Sequence, residues 1–294
     1  MVYWQPSKRP TISSSKVFNI VTAADSSYYQ YALLLIRQLR TFKFHMTINV
    51  LDCGLEERQV KHIKQYDVVV VPAPLHTIKD YPLKQRPFTE RPFLNLIFPE
   101  YDNIIWLDAD CFVQTSLFFQ YADKILDLNK FGAVYESHPQ YMNSEFYTHS
   151  KNWMSNKAVQ FFGTDVGAYI FNRATINSGV IIATSKSPIW KIWQDALQVV
   201  LIKNEGYFFG VDQLSLNFAC IKCKEEFVPM NARMNWMVHV SNPDIKLNEF
   251  RVPQTEELIF VAHFAERAKG YLPLVKDIID ARDKLHLEGE KKGE

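Results

Sequence analysis

In the first half of the chain, apolar segments with the composition of strands alternate with segments that have helical spacing. In chain order these segments are 17–23 (strand), 28–42 (helix), 46–53 (strand), 56–66 (helix), 67–73 (strand), 92–101 (helix) and 103–109 (strand). Such alternation is typical of a parallel sheet covered by helices, with ligands at the carboxyl ends of its strands. We therefore predict an α/β fold with a Rossmann-like, mostly parallel central sheet and a site along that edge.

The second half of the chain is less regular. Residues 139–176 are rich in aromatic residues without clear periodicity, so no element is predicted there. We find no internal repeat and no Gly/Ser-rich linker, and predict one domain over 1–294, with an N-terminal extension at 1–15 and a charged tail from about residue 276. The remaining predicted elements are strands at 131–138, 178–184 and 257–264 and helices at 188–203 and from residue 210 onward.

Charge and composition exclude some classes of partner. The 294 residues include 33 Lys and Arg and 32 Asp and Glu, and the basic residues are scattered, which argues against nucleic acid. The N-terminus lacks an apolar signal core, and no stretch approaches the ~20 apolar residues that span a membrane. We expect a soluble cytoplasmic protein of bacterial or viral origin, either a monomer or a homodimer.

The four cysteines indicate a reducing compartment. Cys220 and Cys223 form a CxxC pair, but a zinc site needs a second ligand pair and a redox site needs a thioredoxin-like turn. We interpret both cysteines as structural.

Two carboxylates, Asp108 and Asp110, interrupt the apolar segment IIWLDADCFV at 104–113. Because an unpaired buried carboxylate is costly, the chain must leave the core there or meet a cation. Acids at positions i and i+2 of a loop are able to bind one divalent cation. The alternative is a turn in which an aspartate caps the helix near residues 115–119.

Five motifs follow one another in the order of a known family. They are TAADSSY (22–28), ERPFLNL (90–96), LDAD (107–110), INSGVII (176–182) and a final pair, GVDQLSLN (210–217) with HFAERAKGY (263–271). In this combination the chain resembles glycosyltransferase family 8, which has the GT-A fold, includes glycogenin and uses nucleotide sugars. The resemblance covers about residues 17–273.

The resemblance implies a donor site at the end of the first strand. Thr22 and Ala23 would border the uracil of a UDP-sugar. Asp25 would accept a hydrogen bond from the base, and the ring of Tyr28 would stack on it. A strand end supplies backbone groups for a base edge, and an aromatic ring supplies a face. The motif alone favours a different interpretation, an N-cap aspartate followed by core-facing tyrosines.

The resemblance also implies residues that contact the diphosphate and the sugar. Arg91 occupies the position of a basic residue near the diphosphate, with Arg86 as the alternative. Lys269 has the place of a lysine that contacts the same group, although the family's Lys-Pro-Trp is Lys-Gly-Tyr here. The sugar would be contacted by Asn177 and Ser178, and the proposed catalytic residues are Asp212 and Gln213.

A metal site follows from the same resemblance. His263 alone, at the end of an apolar strand, is typical of a core histidine, but the family uses such a histidine with the two aspartates. Asp108, Asp110 and His263 would then bind the ion. Because an imidazole ligand favours Mn²⁺ over Mg²⁺, we expect Mn²⁺ at this site, with Mg²⁺ as the alternative.

The implied reaction moves glucose, galactose or xylose from UDP to a hydroxyl of a glycan acceptor, with retention of configuration. Inversion would instead require a carboxylate base, for which Asp212 and Asp165 are the candidates. The acceptor site is expected in the aromatic stretch, where the candidate stacking residues are Tyr141, Tyr147, Trp153, Phe161 and Phe162.

Two other functions stay open. A sugar nucleotidyltransferase would share the sheet and the acid pair, but it would need a Gly-rich basic loop after the first strand, and residues 22–30 contain neither Gly nor Lys. A glycogenin-like scaffold that is non-catalytic or glycosylates itself would need an exposed acceptor tyrosine.

Overall fold

The structure is a computed structural model. It describes residues 17–42, 44–77, 81–141, 144–204, 208–265 and 268–290. For a few of these positions, Ser144, Phe146, Tyr147, Ala268, Lys269 and 282–290, it describes the backbone only.

The described part of the chain forms a seven-stranded main sheet with helices on both faces. In chain order its elements are β1 (Phe18–Ala24), α1 (Tyr29–Arg40), β2 (Met46–Asp52), α2 (Glu57–Lys64), β3 (Val69–Pro72), α3 (Arg86–Glu90), α4 (Leu94–Ile97), β4 (Asn103–Leu107), β5 (Cys111–Val113), α5 (Leu117–Asp127), β6 (Phe131–Tyr135), α6 (Ser144–Phe162), α7 (Thr164–Asn172), β7 (Ile176–Thr184), α8 (Pro188–Lys203), α9 (Val211–Lys222), β8 (Phe227–Met230), β9 (Trp236–Met237), β10 (Asp244–Lys246), β11 (Glu249–Arg251), β12 (Val261–His263) and α10 (Ala268–Glu290). Short 3-10 helices lie at Leu83–Gln85, Arg91–Phe93 and Ala232–Met234.

The strand order is β3-β2-β1-β4-β7-β6-β8, and β7 is the strand that runs against its neighbours. The predicted mostly parallel sheet is therefore confirmed. Because all the other strands of this sheet run the same way, the carboxyl ends of β1, β4 and β6 meet at one edge. That edge carries the candidate site.

Both faces of the sheet are buried, which explains why its strands are continuous apolar segments. Along β4, Ile105 and Leu107 join a core with α1, α5 and α10, whereas Ile104 and Trp106 join a second core with α8 and α9. The two cores lie on opposite faces of the sheet, between it and the helices, in an α/β/α arrangement.

A smaller sheet brings the end of the chain back to the acid pair. β12 pairs antiparallel with β5 and parallel with β9, and His263 lies opposite Cys111. The first residue after β12, Phe264, donates its backbone N–H to the carbonyl of Asp110 at 3.1 Å. Strand pairing therefore places His263 beside both aspartates.

Between residues 144 and 172 the structure differs from the prediction, because α6 and α7 lie there. These helices pack on one another and on α9, and α6 also contacts α8, in a separate core that includes Phe161 and Val166. A helix that contacts several neighbours has apolar residues around much of its circumference, so the single-face periodicity is weak.

The C-terminal segment also has more structure than the sequence indicated. α10 reaches Glu290, and Ile278 and Ile279 on this helix are buried in the core. No helix among the described residues is long and apolar enough to cross a membrane.

Candidate metal centre

The turn between β4 and β5 carries Asp108 and Asp110. It is closed by a hydrogen bond from the Cys111 N–H to the Asp108 carbonyl at 2.9 Å, and the Asp108 N–H donates to the Gly179 carbonyl at 2.9 Å. The chain thus leaves the sheet where the first carboxylate appears, as the cost of burying an unpaired charge requires.

His263 completes a cluster of possible metal ligands. Its Nε2 lies 3.4 Å from Oδ1 of Asp110 and 3.6 Å from Oδ2 of Asp108, and ligand atoms of the three residues lie within 4.8 Å of one another. Two carboxylates and one imidazole are a donor set that suits Mn²⁺ and related ions. The three residues that the family resemblance predicts as ligands therefore lie together and fit one divalent cation.

The charge of the aspartates acts on the histidine. Burial lowers the pKa of His263, but the Nε2–H of the protonated ring donates to Asp110, and this hydrogen bond and the negative charges of Asp110 and Asp108 outweigh burial. The pKa of His263 is therefore raised from its ordinary value of 6.5. In the absence of a cation, a proton is the competing ligand for Nε2.

Arg91 joins the acid pair to α9. Its Nη2 donates to Oδ1 of Asp108 at 2.5 Å, and its Nη1 donates to Oδ2 of Asp212 at 2.8 Å and to the Ser178 hydroxyl at 2.5 Å. The side chain is 2% exposed and its guanidinium carbon lies 4.6 Å from the centre of the Trp106 ring. In this arrangement both terminal nitrogens donate to protein groups, and the diphosphate contact stays a prediction.

Asp212 is buried, and its carboxylate accepts hydrogen bonds from Arg91 and from the Ser178 hydroxyl. Burial raises the pKa of Asp212, and the Arg91 guanidinium and the Ser178 hydroxyl oppose that effect without cancelling it. Asp212 lies in the first turn of α9, which starts after Gly210, whose φ of +80° is a left-handed conformation that glycine adopts easily. The Trp193 indole N–H donates to the Asp212 carbonyl at 2.8 Å and holds this turn.

Glu136 is a buried site residue that the sequence interpretation missed. Its Oε1 accepts from Nδ2 of Asn177 at 2.9 Å and from Nε2 of Gln213 at 2.8 Å, and its Oε2 accepts from the Thr175 hydroxyl. A signal existed, because Glu136 follows β6 directly, at the same sheet edge as Asp108. Acidic residues directly after parallel strands are candidates for this edge.

An irregularity in the β6–β7 pairing presents Asn177 and Ser178 to the site. Ala133 lies opposite Ile181, whereas the next residue, Val134, lies opposite Asn177. The extra residues of β7 form a bulge, and bulges redirect side chains next to functional sites.

The predicted base-binding residues line the end of β1. Thr22 and Ala23 are buried, and Oδ1 of Asp25 accepts from the backbone N–H groups of Ser27 and Tyr28, which caps the turn before α1. Tyr28 is 44% exposed. Partial burial, followed by the charges of Asp110 and Asp108, raises the pKa of Tyr28 to about 12. Tyr28 therefore borders the acid pair.

The structure does not bring every predicted residue to this centre. The Lys269 side chain and the Tyr147 side chain lie outside the described atoms, although Lys269 is in the first turn of α10. Asp165 is exposed in the first turn of α7. Among the acceptor candidates, Phe161 is a core residue, and Trp153 packs near Gly210.

Comparison with known proteins identifies the fold. No family model and no curated protein matches the chain. The galactosyltransferase LgtC, solved with donor and acceptor sugar analogs, has 16% identity and a TM-score of 0.55 over 88% of this chain and 96% of that one. Mouse xyloside xylosyltransferase 1 has 15% identity and a TM-score of 0.55 over 86% of this chain and 99% of its own. The bifunctional glycosyltransferase WbbM has 14% identity and a TM-score of 0.63. The match covers 92% of this chain and 50% of WbbM.

These neighbours are glycosyltransferases, and the GT-A fold expected from the sequence motifs is confirmed. At such identities the likeness is one of fold.

Mn²⁺ binding should strengthen as the pH rises through the raised pKa of His263. The ion needs the neutral imidazole, so below that pKa the affinity should fall by about tenfold per pH unit. The fall should begin at a higher pH than for a histidine with the ordinary pKa, because the pKa of His263 is raised. Electron paramagnetic resonance of free Mn²⁺ across a pH series measures this. A His263→Gln control should bind weakly with little of this slope; an equally steep slope in the control would contradict the assignment.

Replacement of Arg91 by Met should destabilise the fold strongly. The change leaves Asp108 and Asp212 without their cation, and loss of one partner of a buried ion pair costs about 3–5 kcal/mol. Urea denaturation measures the free energy of unfolding. The matched control is Lys191→Met, which removes the exposed Lys191–Asp195 pair and should cost less than about 1 kcal/mol. Equal losses in both variants would show that Arg91 is not a structural cation.

Proposed function

We propose that the protein is a metal-dependent glycosyltransferase that moves a sugar from a UDP-sugar to a hydroxyl group of a glycan acceptor. The observation that carries the proposal is the cluster of Asp108, Asp110 and His263 at the carboxyl edge of a GT-A sheet. The solved glycosyltransferases of the same fold support it.

The end of β1 is the proposed site of the uracil. The pairing of β1 with β2 continues to Ala24, whereas its pairing with β4 ends at Val21 and Trp106. The sheet therefore opens between Thr22 and the acid pair, which offers a planar base the backbone of Thr22 and Ala23. Tyr28 is exposed at this opening and provides the aromatic face.

Asp108, Asp110 and His263 would hold the ion, with Mn²⁺ as the proposed species and Mg²⁺ as the alternative. When bound, such an ion supplies Lewis-acid stabilisation of the negative charge that develops on the departing diphosphate. Arg91 and the Trp106 indole both donate to Oδ1 of Asp108, so Oδ2 is left to face the cluster. The protein thus orients the carboxylate before a cation arrives.

The diphosphate needs a second cation, and Lys269 is proposed for that role. Arg91 is less suited to it, because its terminal nitrogens bind Asp108, Asp212 and Ser178. We assign Arg91 to the positioning of these groups. Positioned charges stabilise a transition state without reorganisation during the reaction.

Asn177, Ser178, Asp212 and Gln213 are proposed to contact the transferred sugar. Asp212 is 1% exposed, and its Oδ2 accepts from Arg91 and from the Ser178 hydroxyl, so this oxygen is occupied by protein donors and is not open to an acceptor hydroxyl. This supports a role in positioning the sugar, and with it retention of configuration. The proposed sugars are glucose, galactose and xylose.

Replacement of Asp110 by Asn should abolish metal-dependent donor binding and lower transfer by more than about 100-fold, the upper range for loss of an outer-shell partner alone. Thermal shift with UDP-glucose, UDP-galactose and UDP-xylose, each with Mn²⁺ or EDTA, measures donor binding, because a ligand of the native state raises Tm. Release of UDP measures transfer.

The wild type should be stabilised by one of these donors only when Mn²⁺ is present. Asp195→Asn, which changes an exposed aspartate of α8, is the control and should behave as the wild type. A folded wild-type protein with no shift under any of these conditions would refute the proposed function.

A further inference from the structure

Asn235 is fully buried beside the candidate metal centre, and no role has been assigned to it so far. It directly precedes β9, the strand that runs parallel to β12, and its side chain lies between Asn177 and His263. Nδ2 of Asn235 lies 2.8 Å from Oδ1 of Asn177, and Oδ1 of Asn235 lies 3.0 Å from Nδ1 of His263. It therefore connects a residue of β7 with a metal ligand of β12.

Two anchors fix the direction of the hydrogen bonds in this chain. The backbone N–H of Gly179 is only a donor, and it lies 2.8 Å from one side-chain atom of Asn177, which must therefore be the oxygen. The Glu136 carboxylate is an acceptor when ionised, and it faces the other side-chain atom of Asn177 at 2.9 Å, which must be the nitrogen. Both anchors give Asn177 the same orientation.

The orientation of Asn177 determines that of Asn235. Because the oxygen of Asn177 accepts, the atom of Asn235 that faces it must be the NH₂ group. The oxygen of Asn235 then faces Nδ1 of His263 and requires a proton on that nitrogen. A neutral imidazole with its proton on Nδ1 carries the lone pair on Nε2, the atom that faces Asp108 and Asp110.

We infer that Asn235 is a positioning residue that holds neutral His263 in the Nδ1–H tautomer, with its Nε2 lone pair directed at the metal cluster before any ion binds. The inference rests on the proposed function only in naming the cluster a metal site. Metal-bound histidines generally donate their second nitrogen to such an outer partner. Here that partner is an amide whose own orientation is set by Gly179 and Glu136.

Gly179 also makes room for the imidazole ring. A Cβ atom at this position would lie 2.4 Å from Cε1 and 2.7 Å from Nδ1 of His263. The same glycine thus orients Asn177 through its N–H and leaves the space that the ring occupies. Glu136 extends the network to the sugar side of the site, because it also binds Gln213.

The direct test is the tautomer of His263 in the metal-free, full-length protein. Long-range ¹H–¹⁵N spectra of the ring-labelled wild type, recorded at a pH where the ring is neutral, distinguish the two nitrogens, and the His263→Gln spectrum identifies the signals. We expect a protonated Nδ1 and an unprotonated Nε2. A proton on Nε2, or an equal mixture of tautomers, would overturn the inference.

A pair of variants separates positioning from packing. Asn235→Asp keeps an acceptor for Nδ1–H, so Mn²⁺ affinity should stay near that of the wild type although the buried charge lowers Tm. Asn235→Leu keeps the volume but removes the acceptor, so the affinity should fall about 10–100-fold. Titration of Mn²⁺ followed by electron paramagnetic resonance measures both.

A lower Mn²⁺ affinity in Asn235→Asp than in Asn235→Leu, in the order of their Tm values, would contradict a positioning role. A folded Asn235→Leu variant with the Mn²⁺ affinity of the wild type would also contradict it. If the Leu variant does not fold, the wild-type spectrum still decides. Sugar transfer is not used in either test, so failure of the proposed function and failure of this inference are separate outcomes.

Discussion

The site depends on one buried guanidinium. Arg91 lies between Asp108, at the end of β4, and Asp212, in the first turn of α9, and the two carboxylates come from elements far apart in the chain. Burial of two acids at one sheet edge would be costly without a cation between them. A lysine would not replace Arg91 well, because the planar fork offers several donors at fixed angles and also stacks on Trp106.

This arrangement leaves the site with an excess of negative charge. Among the described side chains of the site, the guanidinium of Arg91 is accompanied by more than one carboxyl group. The carboxyl residues are Asp108, Asp110, Glu136 and Asp212. Arg91 binds Oδ1 of Asp108 and Oδ2 of Asp212, whereas Oδ2 of Asp108 and Oδ1 of Asp110 face His263. Structural compensation and cation binding are thereby separated in space, and only the second is left to a ligand.

Much of the fold could be predicted from local patterns, because its strands are short apolar segments. The metal cluster was predicted from the family resemblance, because the acid pair alone is also compatible with a helix cap and His263 alone is typical of a core histidine. The partners of Arg91 could not be predicted, since Asp212 lies 121 positions away and their contact exists only after folding. The same reason hides Asn235, whose neighbours come from β7 and β12. The helices at 144–172 could not be predicted from apolar periodicity, because they contact several neighbours and lack a single apolar face.

The open side of the cluster connects the metal ligands with the donor residues. Asp110 and His263 are buried, whereas Asp108 is partly exposed and Tyr28 lies at the rim, close enough for both carboxylates to raise its pKa. Asp108 is therefore the most exposed of the three proposed metal ligands, and it follows β4, the strand whose pairing with β1 ends at the site proposed for the uracil. A cation and a nucleotide diphosphate would then share one entrance, which favours their binding together, because the diphosphate offers the ion the ligands that the three side chains leave unfilled.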